Sequence, residues 1–183
     1  MKLLRTIRLD PSDTVVFPRA AEPGEWAVPG GFVFLDVDPA TLSGKERVAF
    51  RSGFLGIATL GWSTLAQIVD ASEPDRVAAV ECLAQQLVAR FDAPDLAAAR
   101  PAAEEELAFT ASLTDHGPGT LIAMQRSLVD GEIRETFRTL RPRDRPGPFS
   151  PFTFLEVEGE DEGETVDIAA LAKDKSNVPG APS

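Results

Sequence analysis

"FRSGFLGIATLGWSTLAQIVD", residues 50–70, holds eighteen consecutive uncharged residues between Arg51 and Asp70. Its reading decides whether the chain spans a membrane, forms a long helix, or builds the middle of a sheet. A membrane helix needs about twenty predominantly apolar residues. Ser52, Gly53, Gly56, Thr59, Gly61, Ser63, Thr64 and Gln67 make this stretch too polar and too rich in glycine. A soluble helix would carry Gly56 and Gly61 at a cost of about 1 kcal/mol each relative to alanine. From Trp62 onward, Trp62, Thr64, Ala66 and Ile68 alternate with Ser63, Leu65, Gln67 and Val69. That is a strand pattern, and with both faces uncharged it predicts a central, doubly covered strand. Residues 54–60 are ambiguous by pattern; they read as a short strand ending at Gly61.

Outward from this core the chain opens with β structure. "LLRTIRL" (3–9) alternates, and "DTVVF" (13–17) follows the turn composition Asp10-Pro11-Ser12, which predicts a hairpin. "GGFVFLDV" (30–37) reads as a third strand. Ser43 followed by Glu46 has the capping-box spacing and predicts a helix over 44–52, stopped by Gly53. "SEPDRVAAVECLAQQLVARFD" (72–92) is the clearest helix. Ser72 is its cap, and Val77, Val80, Leu83, Ala84, Leu87, Val88 and Phe91 form its apolar stripe. Ala78, Cys82 and Ala89 form a second, small-residue face that suggests cover on two sides. Cys82 reads as a packing residue rather than a nucleophile. Residues 94–113 are alanine-rich and helical, with a kink or restart expected at Pro101.

"TLIAMQRSLVDGEIRETFRTL" (120–140) is a hairpin. Asp130-Gly131 suits a type I′ turn, which places Val129 opposite Glu132 and fixes the register. Leu128–Ile133, Arg126–Glu135, Met124–Phe137 and Ile122–Thr139 then share one face. Ser127–Arg134, Gln125–Thr136 and Ala123–Arg138 share the other. "RPRDRPGPFSPF" (141–152) is a proline-rich link, and "FTFLEVE" (152–158) reads as a last strand. The expected organisation is one domain over 1–158 and an acidic, disordered tail over 159–183 with at most a short helix. The fold class is α+β: an antiparallel sheet with helices packed on one side, because hairpins bracket a block of helices.

Composition narrows the function classes. Net charge is −11, and the acid concentrates in residues 52–119 and 152–183. Only residues 120–151 are locally basic, with six arginines against four acids. Nucleic-acid binding needs the opposite balance. One cysteine and one histidine exclude an internal disulfide and leave too few ligands for a zinc, copper or haem site; no cofactor is called for. "MKLLRTIRLD" does not read as a signal peptide, because Arg5 and Arg8 interrupt its apolar run. A cytoplasmic location is expected.

No catalytic signature survives. Gly61-Trp62-Ser63-Thr64-Leu65 begins like a nucleophile elbow, but Leu65 stands where the final glycine is required. His116 is the sole possible partner for Ser63. It reads as a helix-terminal residue favoured by the helix dipole. Glu104-Glu105-Glu106 reads as a solvated helix turn, and Arg126–Glu135 as a cross-strand ion pair.

"MKLLRTIRLDPSDTVVF" and "FRSGFLGIATLGWSTLAQIV" resemble a family of short bacterial proteins of unknown function, over most of residues 1–140. The resemblance implies a free-standing bacterial protein and transfers no site. Two readings of function follow. The leading one is a non-catalytic accessory or interaction protein, with a protein partner or a second copy of itself. Its candidate anion-binding residues are Arg134 and Arg138, two guanidinium groups on one strand face with no local acid. The alternative is a small-molecule protein or enzyme, for an anionic metabolite, with a pocket near Trp62 and His116.

Overall fold

The computed structural model describes residues 1–141 and 156–158. The fold is α+β, built on one antiparallel sheet. Its strands are β1 (Lys2–Ile7), β2 (Trp26–Val28), β3 (Phe54–Gly56), β4 (Trp62–Ser63), β5 (Leu65–Asp70), β6 (Leu121–Val129), β7 (Glu132–Arg141) and β8 (Glu156–Glu158). They lie in the order β4-β3-β2-β1-β5-β6-β7-β8. The helices are α1 (Ser12–Val16), α2 (Gly44–Ser52), α3 (Glu73–Arg90) and α4 (Leu96–Ser112).

The stretch 50–70 supplies the end of α2, then β3, the edge strand β4 and the central strand β5. Only Leu65–Asp70 takes the central place its pattern predicts, and the short strand before it ends at Gly56 rather than Gly61. β5 pairs with β1 on one side and β6 on the other. It is broken at Thr64, where the chain leaves β4 and enters β5. Thr64 is held there by buried Asp13, whose Oδ1 accepts from Thr64 Oγ1 at 2.6 Å.

Two cores flank the sheet. Register places Leu4, Ala27, Phe54, Ala66, Ile68, Ile122 and Met124 on one face, and these pack as one cluster. Phe54 of β3 and Phe137 of β7 belong to this face, and their ring centroids are 6.3 Å apart. Four strands stand between β3 and β7. A flat sheet would separate them by about 24 Å at roughly 4.8 Å per strand. The sheet is therefore tightly curled, and this cluster fills its inside. The larger core joins Leu3, Val28 and Leu55 to Val80, Leu83, Ala103 and Leu107 of the α3–α4 pair. α4 serves both, since Leu113 at its C-cap packs against the inner cluster.

The β6–β7 hairpin has the expected register throughout, from Val129↔Glu132 to Leu121↔Leu140. Asp130 and Gly131 both take positive φ (54° and 81°), as a type I′ turn requires. Residues 156–158 pair with β7, which bears out the last strand where it is described. The link 142–155 and the tail from 159 lie outside the described residues.

Other local expectations fail for tertiary reasons. "DTVVF" forms α1, not a hairpin strand. Asp10 Oδ1 accepts from the Ser12 amide at 2.7 Å and starts the helical turn, and Asp13 is drawn inward to Thr64. Strand propensity of Val15 and Val16 is overridden. "GGFVFLDV" forms a 3₁₀ turn at Gly31–Phe34. The strand precedes it, at Trp26–Val28, and Pro29 with left-handed Gly30 (φ 74°) ends it. The turn sends Phe32 against Phe91 and Phe34 against Phe50 and Trp62, so its alternating aromatics serve a corner.

α2 has the expected limits, yet Ser43 makes no side-chain cap bond; Gly44 directly after it has φ 51°, which departs from capping-box geometry. α3 has its capping box, between Ser72 and Asp75. Ala78 and Ala89 are exposed, so α3 is not covered on a second face along its length. α4 runs through Pro101 without interruption.

Candidate functional site

Inside the curl, the apolar inner face of β6 continues from Ile122 and Met124 to Arg126, which is 1% exposed. A buried guanidinium must have its donors satisfied. Arg126 Nε donates to Glu135 Oε1 at 2.7 Å, Nη1 to the Phe50 carbonyl at 2.7 Å, and Nη2 to the Pro29 carbonyl at 2.6 Å. It also lies 5.4 Å from the Phe34 ring centroid. One side chain thus ties β6 to β7, to α2 and to the end of β2. Its charge is disfavoured by burial and restored in part by Glu135.

Glu106 approaches the same cluster from α4. Its Oε1 accepts from the Gly30 amide at 3.0 Å. Burial pushes its carboxyl above the ordinary range, and the Glu135 charge adds to that; the Gly30 bond and Arg126 pull the other way. Glu106 and Glu135 both line a cleft of about 340 Å³. Phe32, Leu35, Phe109 and Ile133 supply its apolar walls. Leu35 is 73% exposed and Phe109 42%, so the rim offers apolar surface to water. Gly31 passes so near the ion pair that a Cβ there would lie 2.8 Å from Glu135 Oε1. The cluster holds two carboxylates and one guanidinium, which leaves one carboxylate for a proton or an external cation.

Sequence reasoning missed most of this. Glu104 and Glu105 are exposed as expected, but Glu106 is not. Its spacing with buried Ala99, Ala103, Leu107 and Thr110 places it at the buried face of α4 and was the available signal. Arg126 continues an apolar face, which marks it as more than a surface partner of Glu135.

The four residues singled out from sequence are not brought together. Trp62 is 7% exposed and stacks on Phe34 at 5.3 Å, beside a separate apolar hollow of about 350 Å³ that includes Leu42 and Ala49. His116 is exposed in the loop after α4, where its carbonyl accepts from Lys2 Nζ at 2.6 Å. Ser63 Oγ donates to the Ile7 and Leu65 carbonyls. Lys2 and Ile7 are opposite ends of β1, a strand about 16 Å long at roughly 3.3 Å per residue, so Ser63 and His116 are tied to opposite ends of that strand. Cys82 is half-buried with Sγ 3.8 Å from the Ile57 carbonyl, and burial pushes its thiol up.

Arg134 and Arg138 are exposed on the outward face of β7, with Thr136 between them. Neither forms an ion pair among the described residues. Among those residues no group of three or more His, Cys, Asp or Glu side chains could hold a metal, and no helix is long and apolar enough to cross a membrane.

Comparison with known proteins yields no match among curated proteins and none among solved structures. Residues 1–152 match a family described as Family of unknown function (DUF6505). That span takes in the whole described sheet except β8, all four helices and both walls of the cleft, and on it the chain belongs to this family.

Proposed function

We propose that the protein is a bacterial, cytoplasmic accessory protein that works by binding rather than catalysis, and that its cleft receives a positively charged group. The observation that carries this is the charge imbalance of the buried cluster. Arg126 is committed to Glu135 and two backbone carbonyls, and among the described residues the Glu106 carboxylate accepts a hydrogen bond from the Gly30 amide and forms no ion pair of its own. An alkylammonium or guanidinium group would supply the missing charge. The walls suit its hydrocarbon stem, and the Phe32 and Phe109 rings at the rim favour a cation. The group comes either from a free amine or from a lysine or arginine of a partner protein.

Thermal denaturation of the full chain with butylammonium, butylguanidinium and butanol tests the reading. The two cations should raise the melting temperature, butanol should not, and Glu106→Gln should remove the difference. Equal effects of cation and alcohol, or an unchanged response in Glu106→Gln, would overturn it. Native mass spectrometry of protein purified from its host separates the sources: a retained amine assigns a small molecule, and a co-purifying protein lost in Glu106→Gln assigns a partner side chain.

A further inference from the structure

β7 is ten residues long, but β8 pairs only with Thr139, Leu140 and Arg141. The type I′ hairpin fixes which backbone groups of β7 face β6. Val129↔Glu132 flanks the two-residue turn and is a hydrogen-bonded pair, so Glu132, Arg134, Thr136 and Arg138 turn their N–H and C=O groups to β6. Ile133, Glu135 and Phe137 turn theirs to the open edge. These six groups have no strand partner among the described residues. An open edge of this kind is a template for one more strand.

We infer that this edge docks an extended, acidic segment of a partner protein, laid beside β7 as an added strand. The charge of the edge selects the occupant. A strand paired with residues 133–137 alternates its side chains between two faces. On the outward face they meet Arg134, Thr136 and Arg138, all exposed. A carboxylate opposite Thr136 stands diagonal to both arginines, and one opposite either arginine pairs with it directly. β8 occupies the same edge in antiparallel register immediately beyond, so strand addition there is already part of the fold. Ile133 and Glu135 also line the cleft, but the inference rests on their backbone groups and on Arg134 and Arg138, and Glu106 takes no part in it.

The test uses the full chain and an eight-residue peptide of alternating valine and glutamate, followed by backbone amide NMR and fluorescence anisotropy. Two control peptides accompany it, one with lysine for glutamate and one N-methylated at alternate residues. The glutamate peptide should bind, shift the amide signals of Ile133, Glu135 and Phe137, and weaken at least tenfold in Arg134→Glu/Arg138→Glu. Its affinity should fall with added salt, and N-methylation should abolish binding because it removes the backbone donors. Equal binding of the lysine peptide, equal binding to the double variant, or no binding would overturn the inference. So would slow hydrogen exchange at residues 133, 135 and 137 in the free full-length protein, which would mean that the edge is already covered by the chain's own acidic C-terminal segment or by a second copy.

Discussion

Arg126 and Glu135 face each other across the β6–β7 ladder at 2.7 Å, with the arginine side chain fully withdrawn from water. The pair sits at the end of an apolar face and closes the curl of the sheet, since the same guanidinium also holds the Phe50 and Pro29 carbonyls. Removing the arginine alone would strand a carboxylate and two carbonyls. Arg126→Met should therefore destabilise the fold by about 3–5 kcal/mol, the usual range for breaking a buried pair. Arg126→Met/Glu135→Leu should recover a substantial part. Urea unfolding of the three proteins checks this; an equal loss in the single and double variants would show that the carbonyl contacts, not the ion pair, dominate.

Glu106 gives a pH dependence of defined sign. Its carboxyl is raised from an ordinary 4.5, first by burial. A carboxyl raised on folding contributes stability that is complete below its unfolded value and is lost as pH rises through its folded value. Glu106→Gln keeps an acceptor for the Gly30 amide and cannot ionise. Relative to wild type, the variant should gain stability as pH rises above 4.5. Chemical denaturation of both proteins between pH 4 and 8 measures the gap, and a gap that is flat with pH would remove Glu106 from the buried cluster.

Gly61 packs against backbone. A Cβ there would collide with the carbonyl of Ala20 and the amide of Ala21, where the chain bridges to Trp62. Backbone cannot move aside as a flexible side chain can. Gly61→Ala should cost at least about 1–3 kcal/mol, as overpacking does. Gly117→Ala, whose Cβ meets nothing within 4 Å, should change stability by less than about 0.5 kcal/mol. Melting temperatures of the two variants check the contrast.

The hairpin turn depends on Gly131, at φ 81°. Gly131→Ala should cost about 1–2 kcal/mol, the penalty for a left-handed L-residue. Asp130 tolerates the same region better, so Asp130→Asn should be nearly neutral. Loss of the β6–β7 cross-strand NOEs in Gly131→Ala would show that the turn sets the register; their survival would assign it to the inner-face packing of Met124 and Phe137.

His116→Gln should leave stability within about 0.5 kcal/mol, because Lys2 binds the backbone carbonyl at that position and not the ring. A larger loss by thermal melting would give the exposed imidazole a role in the loop that the hydrogen bonding does not include.

Local chemistry was legible wherever it was sufficient. Asp130-Gly131 set the type I′ turn and with it every pair of the hairpin, and Ser72 marked the start of α3. The uncharged run 50–70 announced a central strand, and β5 has a neighbour on each side, but Leu65, Gln67 and Val69 stay partly exposed, so its second face is not fully covered. Each of these depends on residues within a few positions of one another, so a pattern carries the answer. Tertiary structure decided the rest. "DTVVF" and "GGFVFLDV" look extended by propensity, but Asp13 binds Thr64 fifty-one positions away, and Phe34 finds Phe50 and Trp62. The cleft joins Gly31, Glu106 and Glu135, three segments with unrelated local patterns. They meet only because the sheet curls until β3 reaches β7, and curling is a property of the assembled strands that no single stretch encodes.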